Sequence, residues 1–173
     1  MDPQKESWVR PDIAAMEAYT TILPFEVVSD RLGREVEEIT KLDANENPYG
    51  PSPKALEAIA SERWFHIYPD PEAGALRSAL SDYLDFPAQG LMAGMGADEL
   101  IDLVLRALLS PGEVVINCPP SFGMYPFSTT VNMGHLVNVP RRADFSLDVD
   151  SIATAVAGNP TTKVLFICSP NNP

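Results

Sequence analysis

Three short segments carry the side chains and backbone groups most able to do chemistry. The first is Gly94-Met95-Gly96-Ala97-Asp98-Glu99, just before a strongly periodic apolar stretch. Glycines allow a sharp turn, and the free N–H groups that open a helix suit a phosphate. No Gly-Lys-Ser/Thr follows, so this is not a Walker loop, and Glu99 replaces the third glycine of a dinucleotide fingerprint. A tight turn with acidic residues favouring a helix start explains the same letters. The second segment is Cys118-Pro119-Pro120-Ser121-Phe122-Gly123-Met124-Tyr125, after an apolar run. Phe122 and Tyr125 could offer flat faces to a planar ligand, or could cap a core. The third is Ser169-Pro170-Asn171-Asn172-Pro173, again after an apolar run. An asparagine amide there could donate to a ligand oxygen, or simply form a turn. What favours a ligand site is convergence, since all three segments follow candidate strands of one sheet. His66 and His135 have no cysteine or second histidine at ligand spacing, so no metal site is expected, and no Gly-x-Ser-x-Gly elbow suggests a hydrolase.

The elements that must position these segments can be read from periodicity. Residues Met1–Lys41 read as an irregular arm with a short helix around Asp12–Tyr19, an apolar knot at Ile22–Phe25 and a possible short strand at Ile39–Leu42. Asp43–Pro51 is rich in turn formers. Ser52 and Pro53 are a helix cap and first-turn proline, predicting a helix over Pro53–Ser61. Prolines keep Tyr68–Glu72 out of a helix, and a second helix is expected over Gly74–Leu84. From there strands and helices alternate. Strands are expected at Leu91–Ala93, Glu113–Cys118, His135–Val139 and Lys163–Cys168. Helices are expected on the Leu100, Leu103, Val104, Ala107, Leu108 stripe, over Pro126–Val131, and through Val149, Ile152, Ala153 and Val156. Continuous apolar strands between helices imply an α/β class: a mostly parallel sheet with helices on both faces.

Composition narrows the function classes. The chain has 173 residues and a net charge of −12, which argues against nucleic acid and anionic membrane surfaces as partners. No apolar run is long enough to span a bilayer. The first residues, with Asp2, Glu6, Asp12 and Glu17, resemble neither a secretory signal nor a transit peptide. Cys118 and Cys168 are too few for a disulfide scaffold and read as buried free thiols in a reducing, cytoplasmic setting.

The ordered set Lys41–Pro53, Tyr68–Pro71, Leu76-Arg77, Gly96–Leu100, Cys118–Tyr125 and Ser169–Pro173 resembles histidinol-phosphate aminotransferases, within the fold-type I pyridoxal-5′-phosphate (PLP) enzymes of class I and II. The resemblance runs from Leu23 onward. Gly-Ala-Asp-Glu and Pro-Pro-Ser-Phe-Gly-Met-Tyr are fairly specific to the subgroup, whereas Asn-Asn-Pro is shared more widely. It implies an N-terminal arm with small-domain elements over 1–41 and part of a PLP-binding large domain over 42–173. It implies that Ala97 and Asp98, with Glu99 beside them, hold the PLP phosphate. Phe122 would stack on the pyridine ring, Asn172 would bond the ring hydroxyl oxygen, and Tyr68 would reach the partner's cofactor in a homodimer. Phe25, Asn45, Glu46 and Asn47 would lie near the substrate, an amino donor or 2-oxo acid. The expected activity is amino transfer between histidinol phosphate and 2-oxoglutarate in histidine biosynthesis. A sibling PLP enzyme, such as a threonine-phosphate decarboxylase or another aminotransferase, and a non-catalytic truncated paralogue are the other readings. The Schiff-base lysine of such enzymes stands in a later Ser-x-x-Lys, with a ring-nitrogen aspartate and substrate arginines also later. None of Lys5, Lys41, Lys54 and Lys163 has that context, so no catalytic residue is expected within these residues.

Overall fold

The computed structural model describes residues 8–17, 22–43 and 45–172. They form two compact units, Met16–Pro69 and, for the rest, Met1–Ala15 with Asp70–Pro173.

The discontinuous unit is built on a three-stranded, all-parallel sheet in the order β2-β1-β3. The central strand β1 (Val114–Asn117) is buried at every position, as a continuous Val-Val-Ile run requires. β2 (His135–Asn138) pairs with it from Val114↔His135 to Asn117↔Asn138. β3 (Thr162–Phe166) pairs on the other side, ending at Asn117↔Phe166. Val114, Ile116 and Cys118 alternate onto one face and pack with Val139 and Ile152. Ile152 belongs to α7 (Val149–Gly158), so that helix covers this face. Val115 and Asn117 point to the opposite face. There α5 (Gly96–Leu108) and α6 (Met124–Val131) pack on each other and reach the sheet, with Leu105 and Thr129 fully buried. Helices therefore lie on both faces, as the alternation of elements implies.

The helix expected at Asp12–Tyr19 is a single turn, α1 (Pro11–Ala14), and Tyr19 is outside the described residues. Arg10 beside it donates to the carbonyls of Thr130 and Val131 at 3.2 and 3.1 Å, satisfying the C-terminal end of α6. Two expected strands are absent. Leu91–Ala93 and Ile39–Leu42 join no ladder among the described residues, and an apolar run without a paired neighbour is not a strand. The apolar segment Lys163–Cys168 is not buried on both sides either. β3 is an edge of this sheet, with Leu165 and Ile167 exposed.

In the continuous unit the arm is less irregular than its prolines suggest. α2 (Phe25–Leu32) starts after Pro24 and stops at Gly33, whose φ of +60° closes the helix in the left-handed region. α3 (Pro53–Ser61) has the expected bounds, with Ser52 Oγ accepting the Ala55 N–H at 3.2 Å. α4 (Gly74–Leu84), back in the first unit, also has its expected bounds; Asp70 accepts the Glu72 and Gly74 N–H groups before it. The compact units part after Ala15 and after Pro69. α1 packs on α6, and Lys41 donates to the Leu23 carbonyl at 2.6 Å, tying the arm to the loop that follows.

Candidate functional site

Parallel strands end at the same edge, so the loops leaving β1 and β3 must be neighbours there. Asn171 Nδ2 donates to the Pro120 carbonyl at 3.0 Å and joins them directly. Phe122 and Asn172 are thereby brought to one edge, both half-buried. Phe122 meets Tyr125 at right angles, with ring centres 5.7 Å apart. Tyr125 in turn stacks on Phe166 at 4.3 Å, nearly coplanar. Burial pushes the Tyr125 phenol up to about 12, and its hydrogen bond with Cys168 adds to this. Tyr125 is thus a neutral packing group and not a ligand face.

The Gly94–Glu99 turn leads into α5. The Gly96 N–H donates to the Gly94 carbonyl at 2.9 Å, with Gly96 at φ +79°. The Glu99 carboxylate folds back to accept the Met95 N–H at 2.5 Å. It lies so close to Gly94 that a Cβ there would be 2.8 Å from it, so a side chain at residue 94 would displace it. Glu99 therefore shapes the turn. Ala97 and Asp98 are exposed, and their first-turn N–H groups have no partner among the described residues. From α5 the link Leu109–Glu113 enters β1 at the sheet's opposite edge, while the helix packs on β3 and α6. That course points its N-terminus toward the edge carrying Phe122 and Asn172. Two free amides at the start of a helix, a half-buried ring and a half-buried amide fit a phosphorylated planar cofactor. Lys163 is far from that edge in register. It is the second residue of β3 and pairs with Glu113 at 3.4 Å, just before β1.

Both cysteines are free. Cys118 is on the α7 face, and burial raises its thiol's pKa. Cys168 is only half-buried, a correction to the expectation, and bonds Tyr125. The register sets Cys118 level with Ile167, so Cys168 is one residue out of step and on the other face.

In the continuous unit a cavity of about 570 Å³ is lined by Phe25, Lys41, Leu42, Asn45, Glu46 and Asn47, among others. All four residues expected near substrate line it. Asn47 is partly occupied locally, since its Oδ1 accepts the Tyr49 N–H at 3.0 Å. Sequence reasoning missed Lys41. Its side chain is 8% exposed, lies 5.3 Å over the Phe25 ring and pairs with Asp43 at 3.6 Å. A lysine between Ile39 and Leu42, within the segment expected as a short strand, was the available signal. Tyr68 is almost fully exposed and lines a separate hollow of about 400 Å³ with Trp64, Phe65 and Ile67.

The family model for class I and II aminotransferases matches residues 37–173. The chain belongs to this aminotransferase family. Within it, the chain is 49% identical over 168 residues to the chloroplastic histidinol-phosphate aminotransferase of Nicotiana tabacum, covering 97% of this chain and 40% of that protein. It is 50% identical to the histidinol-phosphate aminotransferase of Roseiflexus castenholzii, covering 95% of this chain and 46% of that protein. It thus spans less than half the length of these relatives. Among solved aminotransferases, the Sinorhizobium meliloti histidinol-phosphate aminotransferase, crystallised with pyridoxal-5′-phosphate, superposes with a TM-score of 0.79 at 25% identity, over 98% of this chain and 44% of that one. An aspartate aminotransferase from Thermus thermophilus shares the fold, with a TM-score of 0.71 at 24% identity over 95% of this chain and 45% of that one. The fold is that of the fold-type I aminotransferases.

Proposed function

We propose that the complete protein carrying this chain is a PLP-dependent histidinol-phosphate aminotransferase of histidine biosynthesis, transferring an amino group between histidinol phosphate and 2-oxoglutarate. The observation that carries this reading is the free Ala97 and Asp98 amide pair at the head of α5, with Phe122 and Asn172 on the edge toward which that helix points. The 49–50% identity to two histidinol-phosphate aminotransferases supports the substrate assignment.

In this reading Ala97 and Asp98 donate to the cofactor phosphate, where the helix N-terminus also favours negative charge. Glu99 keeps the turn in shape. Phe122 covers one face of the pyridine ring and shields it from water, held upright by Tyr125. Asn172 donates its amide to the ring hydroxyl oxygen. When bound, PLP supplies an electron sink for the carbon that exchanges its amino group. Phe25, Asn45, Glu46 and Asn47 contact the substrate, and Tyr68 of each subunit reaches the partner's cofactor phosphate in a homodimer. Leu42–Pro173 forms part of the PLP-binding large domain, with 1–41 as arm and small-domain elements. No helix among the described residues is long and apolar enough to cross a membrane. The two free cysteines suit a reducing compartment, and the cytoplasm is part of this proposal.

The test is to supply the purified complete protein with PLP and follow amino transfer from histidinol phosphate to 2-oxoglutarate. Release of carbon dioxide from threonine phosphate, with no amino transfer, would replace this reading with the decarboxylase.

A further inference from the structure

Arg141 follows β2 at the same edge of the sheet and joins the loops leaving all three strands. Its backbone N–H donates to the Pro119 carbonyl at 2.7 Å, in the Phe122 loop. Its guanidinium donates to the Cys168 carbonyl at 3.0 Å, in the Asn172 loop, and to the Phe145 carbonyl at 3.1 Å, in its own loop. The Nε atom is buried, so the group is set into the edge rather than lying over it.

The need for such a group follows from the composition of the two ligand loops. Pro119, Pro120 and Pro170 have no N–H, so the loops leaving β1 and β3 cannot donate to neighbouring chain at those positions. The carbonyls there still require donors. Arg141 N–H serves Pro119, Asn171 Nδ2 serves Pro120, and the Arg141 guanidinium serves Cys168. Of these donors only Arg141 comes from outside both loops. Its charge also acts on the edge, opposing the upward push that burial exerts on the Cys118 thiol.

We infer that Arg141 is a positioning residue for the cofactor site: it fixes the spacing of the Phe122 and Asn172 loops, so that ring face and amide meet one planar ligand together. This rests on the PLP reading above. A charge-assisted bond to a carbonyl is worth enough that its loss weakens PLP binding about tenfold.

The test uses the complete protein in five forms: wild type, Arg141→Ala, Arg141→Lys, Asn172→Ala and the Arg141→Ala/Asn172→Ala double variant. PLP dissociation constants come from fluorescence quenching, and loop protection in the cofactor-free protein from amide hydrogen exchange. Arg141→Ala is expected to weaken PLP about tenfold and to speed exchange at 121–125 and 167–169. Arg141→Lys, which can still serve one carbonyl, recovers part of both. If Arg141 acts through the Asn172 loop, the double variant loses less than the product of the single losses. A merely structural role predicts independent, multiplying losses. Unchanged affinity in both Arg141 variants, or multiplying losses, overturns the inference and leaves the PLP reading standing. Failure of wild type to bind PLP overturns both. Should Arg141→Ala fail to fold, Arg141→Lys against wild type carries the same comparison: wild-type affinity with wild-type loop exchange overturns the inference.

Discussion

Phe122 and Tyr125 are three residues apart, yet they answer to different forces. Tyr125 is sandwiched between Phe122 and Phe166 and bonded to Cys168, and its phenol is pushed up to about 12, chiefly by burial. The ordinary value, 10.0, applies to the unfolded chain. Between these values the unfolded chain has released a proton that the folded one retains. The contribution is therefore fully present below pH 10 and is lost as pH rises toward 12. Tyr125→Phe should flatten that part of the stability–pH curve, as measured by denaturant unfolding at several alkaline pH values; an unchanged slope would refute the assignment. Phe122 is expected to matter for binding instead. Ring stacking is worth about 0.5–1.5 kcal/mol, so Phe122→Leu should weaken PLP by roughly threefold to tenfold. Its melting temperature should change little by comparison. Equal PLP affinity in wild type and Phe122→Leu would remove the stacking role.

At the scale of elements, the turn before α5 depends on two glycines for different reasons. A Cβ on Gly94 would be 2.8 Å from the Glu99 carboxylate and 2.9 Å from Leu100 Cδ2. Gly94→Ala should therefore displace Glu99 from the Met95 N–H and open the phosphate turn. Gly96 has open space around it but φ +79°, so Gly96→Ala costs backbone strain, about 1 kcal/mol. The expected outcome is a larger loss of affinity for free phosphate or PLP in Gly94→Ala than in Gly96→Ala. Calorimetric titration of both variants checks this, and the reverse order would contradict the packing argument. α3 offers a simpler case. Ser52→Ala removes the Oγ that accepts the Ala55 N–H and should cost about 1 kcal/mol of helix stability, read as faster amide exchange at the start of the helix.

At the scale of the molecule, the described residues leave much apolar surface uncovered. Trp8, Leu42, Tyr49, Trp64, Phe65, Tyr68, Leu165 and Ile167 are all exposed. Scattered apolar side chains are ordinary, but Trp64, Phe65, Ile67 and Tyr68 are contiguous, and β3 is an apolar edge. Residues 1–173 expressed alone are therefore expected to associate or aggregate, as judged by light scattering. They are also expected to lack amino transfer with added PLP. Lys163 is ion-paired at the start of β3, the edge opposite the site, and Lys41 is held by the Leu23 carbonyl and Asp43. A soluble monomer with measurable transamination would sink this expectation.

The bounds of α3 and α4 were legible to the residue, because caps, first-turn prolines and helical spacing act within a few positions. β1 was legible for a similar reason, its unbroken apolar run needing cover on both faces. The loops of Phe122 and Asn172 were legible as candidates, since turn formers after apolar runs mark strand ends; the Gly94–Glu99 turn was legible from its glycines before a helical stripe, although no strand precedes it among the described residues. α2 was hidden by the apolar knot Ile22–Phe25 at its start, although Pro24 before it and Gly33 after it mark its two ends. Ile39–Leu42 and Leu91–Ala93 have strand-like letters, but a strand exists only through a partner, and pairing is a property of distant chain. The opposite facing of Cys118 and Cys168 likewise waited on the register between β1 and β3. Glu99 as a turn former, Lys41 under the arm and Arg141 among three loops were decided by tertiary structure alone. Each acts through carbonyls or amides whose positions depend on folding, and a charged side chain carries no mark in the sequence of which backbone group it will meet.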